Sequence, residues 1–308
     1  SWNVKDLLRD CLRSLQQFAP AVEPMTVFVV DNASSDGTPG MVSSEYPDVR
    51  LIANSVNRGF TGGNNDGLAA AQRARNGRAA GDDFALLLNP DTVLTAGALD
   101  ALIDAARARP DAGIIGPRLV YGDGAPQSSK RRFPTLATGI FESTWLQRLA
   151  PRRVLDRYFF RDAPEDRVCD VDWVVGAAML ARWRAIDRVG TLDEARFFMY
   201  SEEIDWCKRM KSAGWAVVWT PAATVIHYEA RSSDKASGLR TLRFNTSRVR
   251  YFAKHHGSAA AAVVRATLLA GFAAQMMVEG AKWLVGHKRA LRAERLRAYA
   301  TALRSGLA

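Results

Sequence analysis

Four carboxylates and one histidine stand where this 308-residue chain turns from apolar to polar, and each has a type and placement that can do chemistry. Leu86-Leu87-Leu88 suits a strand buried on both faces, and the following Asn89-Pro90-Asp91 must end it, because Pro90 cannot donate to a ladder. Asp91 is thereby expected at a carboxyl strand edge, where open α/β sheets bind ligands and where a carboxylate can hold a hard divalent cation against phosphate. Asp91-Thr92 equally suits the N-cap of a following helix. Asp31 closes the run Thr26-Val27-Phe28-Val29-Val30 in the same manner. Glu202 and Glu203 follow Ser201, in the first turn of an expected helix. There they either complement its dipole or are presented by the aromatic shelf Phe197 to Tyr200 as a general base to a hydroxyl that must lose its proton. His227 ends the run Thr224-Val225-Ile226, as a structural histidine or as a ligand to metal or phosphate.

Strands and helices must alternate to bring these groups to one edge. Apolar residues at 4, 7, 8, 11, 12 and 15 follow helical spacing from the start of the sequence, and no strand precedes that helix, so an N-terminal strand is expected to be lacking. Strands are expected at 26–30, 49–53, 84–88 and 113–116. Helices are expected at 68–75 and 96–109, giving a mostly parallel, doubly wound sheet flanked by helices. Four glycines in Asn57 to Gly67 suit a turn whose amides approach a ligand closely. Residues 121–132 read as a loop over the site or a boundary. Residues 140–168 show no clear period and are assigned only to the acceptor side, and 170–180 reads as one further buried strand.

The composition, 48% hydrophobic and 24% charged, is that of a folded globular protein. Cys11, Cys169 and Cys207 lie far apart, without metal-ligand spacing, as expected of thiols in a reducing compartment. The net charge of +10 is uneven. From Arg231 onward fifteen Lys/Arg face three Asp/Glu, whereas residues 1–230 carry 27 basic against 29 acidic groups. A nearly neutral body thus precedes a basic tail that seeks polyanions. No signal-peptide pattern is visible, and the apolar run Ala266 to Val278 reads as too short to span a bilayer.

Taken together, SWN, VVDNASSDG, NRGFTGGNNDG, LLLNPD, GAAML, TLDEARFFMYSEEIDWCKRM and HYEARSS resemble, in order and spacing, the inverting family 2 glycosyltransferases of GT-A fold. The similarity is greatest to the bacterial rhamnosyltransferase-like branch of cell-envelope polysaccharide synthesis and covers about residues 1–235. It implies a first strand ahead of SWN. It implies donor binding by Asn3, Asp31, Asn32, Arg58, Gly59, Phe60, Gly63, Asn64, Asn89 and Asp91, and acceptor binding by Trp173, Gly176, Asp193, Glu194 and Tyr200. Asp91 and His227 match the metal or diphosphate ligands, for Mg²⁺ or Mn²⁺. Of Glu202 and Glu203, the second matches the usual base position, where Asp is common. The implied reaction is transfer of a sugar, L-rhamnose from dTDP-rhamnose or a hexose from a UDP donor, to a glycan or polyprenyl-diphosphate-linked acceptor.

Residues 236–308 form a basic, amphipathic helical extension, with Leu239, Leu242, Val249, Tyr251 and Phe252 interleaved among Arg and Lys. Such helices suit the anionic cytoplasmic face of the plasma membrane, peripherally; the alternatives are helices that cover the catalytic domain or pair in a homodimer. A nucleic-acid-binding protein would also carry a basic tail, but no reader motif is present and no nucleic acid is expected. A noncatalytic nucleotide-sugar sensor on the same fold is the other alternative.

Overall fold

In a computed structural model, residues 1–20, 24–75, 83–229 and 237–308 are described. The chain opens with helix α1 (Lys5–Gln17), whose apolar stripe buries Leu8, Cys11, Leu12 and Leu15. Strand β1 (Phe28–Asp31), helix α2 (Thr38–Glu45) and strand β2 (Arg50–Ala53) follow, and β1 and β2 pair in parallel as a sheet of their own. Helix α3 (Gly59–Ala74) begins nine residues before the expected start at Leu68, so the glycine-rich stretch is helix and not turn. The glycines permit close packing there: a Cβ on Gly63 would stand 2.8 Å from Asn32 Nδ2, and one on Gly62 would stand 2.9 Å from Arg58 Cβ.

Strands β3 (Phe84–Leu88) and β4 (Thr92–Leu94), helix α4 (Ala98–Ala108) and strand β5 (Ala112–Val120) come next. The expected loop at 121–132 carries two short strands, β6 (Pro126–Gln127) on β5 and β7 (Lys130–Arg131). After helices α5 (Leu136–Phe141) and α6 (Arg152–Tyr158), the single strand expected over 170–180 is instead three: β8 (Cys169–Asp170), β9 (Trp173–Val174) and β10 (Ala178–Arg182). Helices α7 (Trp183–Val189) and α8 (Glu202–Ser212) lead to β11 (Ala216–His227), one strand with an irregularity between Thr220 and Thr224.

The main sheet runs β3-β10-β5-β11-β4. Strands β3, β5 and β11 share one direction, while β10 and β4 run against them. The sheet is therefore mixed, because β10 enters between β3 and β5 after the long excursion from 121 to 177 and meets both antiparallel. Leu8, Leu12, Val29, Leu94, Leu119 and Val225 make one core around it, and Leu102, Ile115, Leu180 and Val218 make a second. A cavity of about 590 Å³ is lined by Val27–Val30 of the β1 segment, Phe84–Leu88 of β3 and apolar residues of α1 and α3.

The chain divides into two compact units. The first comprises residues 1–133, 159–194 and 202–232 and holds every strand. The second comprises 134–158, 195–201 and 233–308, so it includes more than the C-terminal extension. Its helices α9 (Ser237–His256), α10 (Ser258–Leu284) and α11 (Arg289–Ser305) pack on one another, and α10 also packs on α5. The segment 195–201 is held within this unit, with Ser247 Oγ donating to Met199 O at 2.7 Å and Arg250 donating to Arg196 O. The expected boundary at 235/236 falls outside the described residues, as do Ala230-Arg231-Ser232-Ser233.

Helix α10 corrects one expectation. Its 27 residues include an 18-residue window of mean hydropathy 1.6, long and apolar enough to cross a membrane by length and composition. The run Ala266 to Val278 looks short only when the flanking alanine-rich turns, interrupted by Arg265, are left out.

Candidate active site

Asp91 and His227 lie 136 residues apart in sequence and side by side in the fold. Strand β3 ends at Leu88, and Asn89 O then accepts from both Thr92 N (3.2 Å) and Thr92 Oγ1 (2.7 Å), closing a tight turn around Pro90-Asp91. Strand β4 follows at once, so Asp91 caps no helix. The antiparallel register of β4 on β11 pairs Thr92 with His227, and Tyr228 N donates to Asp91 O at 3.0 Å. Both side chains are buried, Asp91 to 6% and His227 to 7% exposure, with His227 Nε2 3.5 Å from Asp91 Oδ1.

The far side of the imidazole is committed. His227 Nδ1 lies 2.9 Å from Gln127 Oε1, and Gln127 Nε2 donates to Glu229 Oε2 at 2.9 Å. A carboxylate only accepts, so the amide N–H of Gln127 faces Glu229 and its oxygen faces His227, placing the ring proton on Nδ1. Nε2 then faces Asp91 Oδ1 and is the ring nitrogen placed to ligate a metal there. Two donors facing each other across 3.5 Å fit adjacent positions on one octahedral ion, whose ligands at about 2.1 Å stand about 3 Å apart at right angles. Among the described residues no third His, Cys, Asp or Glu joins them. A cation here therefore needs ligands from diphosphate or water as well.

At the end of β1 the polar groups are already engaged with one another. Asp31, 1% exposed, accepts from Ser34 N (2.9 Å), Ser34 Oγ (2.5 Å) and Ser1 Oγ (3.1 Å). Asn3 Oδ1 accepts from Ser35 N at 2.7 Å, docking the first residues on the same loop. Asn32 donates to Gly59 O (2.8 Å) and accepts from Asn54 (3.0 Å), which also donates to Asp66 at 2.9 Å. Asn64 bonds back to Phe60 O within α3. Arg58 pairs with Asp66 and, at 3.1 Å, with Glu194, while Asn65 holds Leu192 through both its N–H (3.1 Å) and its carbonyl (2.9 Å). Segment 190–194, with half-buried Asp193, is thus fastened to α3.

Helix α8 carries the glutamate pair. Tyr200 and Ser201, immediately ahead of it, both have left-handed backbone (φ +72° and +67°), a costly arrangement for non-glycine residues. The helix is tied to the turn before that segment: Arg209 pairs with buried Asp205 at 2.8 Å and donates to Val189 O and Thr191 O, and Trp206 Nε1 donates to Gly190 O at 2.9 Å. Glu202 is 4% exposed, and its Oε2 is buried without a hydrogen-bond partner. Burial, reinforced by the neighbouring charges of Glu203 and Asp205, pushes its pKa well above the carboxylate range. Glu203 is half-buried and stands against Gly176: a Cβ placed there would lie 3.4 Å from Glu203 Cβ and 3.6 Å from Phe60 Cζ.

The fold therefore brings together Asp91 with His227, Gly176 and Phe60 with Glu203, and Arg58 with Glu194. Trp173 is buried at 4% exposure, with its indole N–H donated to Arg132 O at 2.9 Å. Tyr200 belongs to the second unit and sets its ring edge-on to Phe244 at 5.5 Å. Gln127 and Asn54 lie outside every motif of the sequence, and Asn65 and Asp66, although within NRGFTGGNNDG, are not among its expected donor-binding residues. The only hint was a short polar stretch after β5 and an Asn/Asp-rich helix start.

A mixed sheet with a paired Asp and His at its strand ends, together with a two-stranded parallel sheet that leads into an amide-rich helix start, is an α/β framework suited to binding a ligand at its carboxyl edge. The chain belongs to glycosyl transferase family 2: the Glycosyl transferase family 2 profile matches residues 1–164, and the Glycosyl transferase family group 2 profile matches 85–284. It is 33% identical over 261 residues to the N-acetylglucosaminyl-diphospho-decaprenol L-rhamnosyltransferase of Mycobacterium tuberculosis H37Rv, covering 83% of this chain and 84% of that protein. Rhamnosyltransferase WbbL of Escherichia coli K12 is 29% identical over 69% of this chain and 76% of its own length. Among solved structures, the mannosyltransferase PcManGT of Pyrobaculum calidifontis, in complex with GDP-Man and Mn²⁺, superposes with a TM-score of 0.55 at 17% identity. The match spans 98% of this chain and 84% of that one. GalNAc-T7 with UDP, GalNAc and Mn²⁺ reaches the same score at 12% identity over 79% and 44%. These likenesses establish the GT-A fold.

Proposed function

We propose that this glycosyltransferase moves L-rhamnose from dTDP-rhamnose to a polyprenyl-diphosphate-linked sugar, with inversion, in cell-envelope polysaccharide synthesis. The buried Asp91–His227 pair at the carboxyl edge of the sheet is the observation that carries the chemistry. The two rhamnosyltransferase relatives support the choice of sugar, and the mycobacterial one, named for a decaprenol-linked substrate, supports the choice of acceptor. A UDP-hexose remains the second donor to test.

Asp91 and His227 would hold a divalent cation, Mg²⁺ or Mn²⁺, which when bound offsets the charge on the departing diphosphate. Asn32, Gly59 and Gly63 shape the start of α3 next to the donor. Glu203 takes the proton from the acceptor hydroxyl as that oxygen attacks the anomeric carbon, and the bond from that carbon to the diphosphate oxygen breaks on the opposite face. Burial and the neighbouring charge of Glu203 raise the pKa of Glu202, and Glu203 stands at the position where the family resemblance places the base. Gly176, Asp193 and Glu194 border the acceptor. The enzyme works at the cytoplasmic face of the membrane as a peripheral protein, where its acceptor is anchored.

Glu203→Gln should reduce transfer by about 10²–10⁴-fold while dTDP-rhamnose affinity, read by calorimetry, stays within about twofold. Near-normal turnover would remove Glu203 as the base. A thermal-shift screen of nucleotide sugars with Mg²⁺ or Mn²⁺ tests the donor, and a UDP-sugar that stabilises more than dTDP-rhamnose would replace it. NMR of the product anomer tests inversion.

A further inference from the structure

The end of α10 and the turn into α11 expose large apolar side chains that no described residue of the second unit covers. Leu284 is 71% exposed, Val285 80%, Met277 71%, Val278 51% and Trp283 39%. Such a cluster on a surface marks an interaction site.

The tip is built, not frayed. Gly286, at φ +84°, follows the last helical residues; its N–H donates to Trp283 O (3.1 Å), and His287 N donates to Lys282 O (3.1 Å). These two bonds are the paired closure of a helix ended by a left-handed glycine. One turn before the tip, buried Glu279 receives Arg292 of α11 at 2.5 Å, with Lys282 and Arg295 within 3.7 Å and 3.6 Å, which locks the two helices together.

Charge selects the partner. Residues 279–297 hold six Lys/Arg against two Glu, and Lys288 and Arg289 directly flank the apolar apex. Arg289 also lies over the Trp283 ring at 5.4 Å and donates to its carbonyl, setting an amphipathic ring beside a cation, as at a bilayer interface. A two-fold contact between copies would press one basic collar on another. An anionic surface with an apolar interior satisfies both parts of the tip.

Building on the peripheral membrane association proposed above, we infer that the α10–α11 turn is the membrane-inserting element. Leu284, Val285 and Trp283 enter the acyl boundary of an anionic leaflet, while Lys282, Lys288 and Arg289 remain at its phosphates.

The test is sedimentation of the full chain with phosphatidylcholine vesicles, with and without phosphatidylglycerol. The native chain should bind the anionic vesicles. Leu284→Ser/Val285→Ser should lose at least about tenfold in partitioning, and Lys288→Glu/Arg289→Glu more than about twentyfold. Brominated lipids should quench a tryptophan signal that Trp283→Phe removes. All three variants should keep native activity on a water-soluble acceptor. If the native chain binds and the variants bind equally, the tip assignment is overturned while membrane association stands; if the native chain does not bind, both fail. Retention after carbonate washing, as for a spanning α10, or lipid-free self-association abolished by the tip variants, would also overturn it.

Discussion

Gln127 Oε1 lies 2.9 Å from His227 Nδ1, and this one hydrogen bond decides which nitrogen of the ring is placed to ligate a metal beside Asp91. The strand that carries Gln127 is two residues long and, among the described residues, pairs only with the end of β5, yet it orients a group at the end of β11. The carboxylate of Glu229 orients the amide in turn.

Removing that orientation should weaken cation binding without touching a ligand. Gln127→Ala is expected to lower Mn²⁺ affinity in the presence of dTDP by about 10–100-fold, read by electron paramagnetic resonance. In ¹⁵N NMR the His227 ring should change from the Nδ1-protonated tautomer to a mixture. Unchanged Mn²⁺ affinity would make Gln127 a packing residue.

Glu202 gives a pH-dependent stability of defined sign. Its native pKa is raised, so between the ordinary glutamate value near 4.5 and the raised value the folded state binds the extra proton. The contribution is complete at low pH and is lost as pH rises through the native pKa, by up to about 1.4 kcal/mol per pH unit. Glu202→Gln should therefore gain stability relative to the native chain as pH increases from 4.5, in denaturant titrations at stepped pH. Parallel curves would show that the buried carboxyl does not titrate.

Gly63 is required by its neighbour. Gly63→Ala would drive a methyl into the Asn32 amide, which holds Gly59 O and Asn54, at an expected cost of about 1–3 kcal/mol. Tm should fall by several degrees and donor affinity with it, whereas Gly40→Ala, in α2 with open space around it, should not lower donor affinity. Equal donor affinity in Gly63→Ala would dissociate this glycine from the donor.

The local pattern of the chain was enough to determine its elements near the chemistry. Pro90 had to end β3 and left Asp91 at a strand edge, the apolar period of residues 4–15 is α1, and the dipole-favouring glutamates begin α8. His227 is the last residue of its strand for the same local reason. Tertiary structure decided what local pattern does not encode. The glycines of 59–63 could be turn or helix, and in the fold they are helix, with Asn32 packed against Gly63. Strand direction was equally open, because an antiparallel β10 between β3 and β5 is set by where the chain returns after 177, not by residue type. The pairing of Asp91 with His227, the role of Gln127 and the raised pKa of Glu202 arise from long-range register and burial, which bring residues far apart in the chain within bonding distance or away from water.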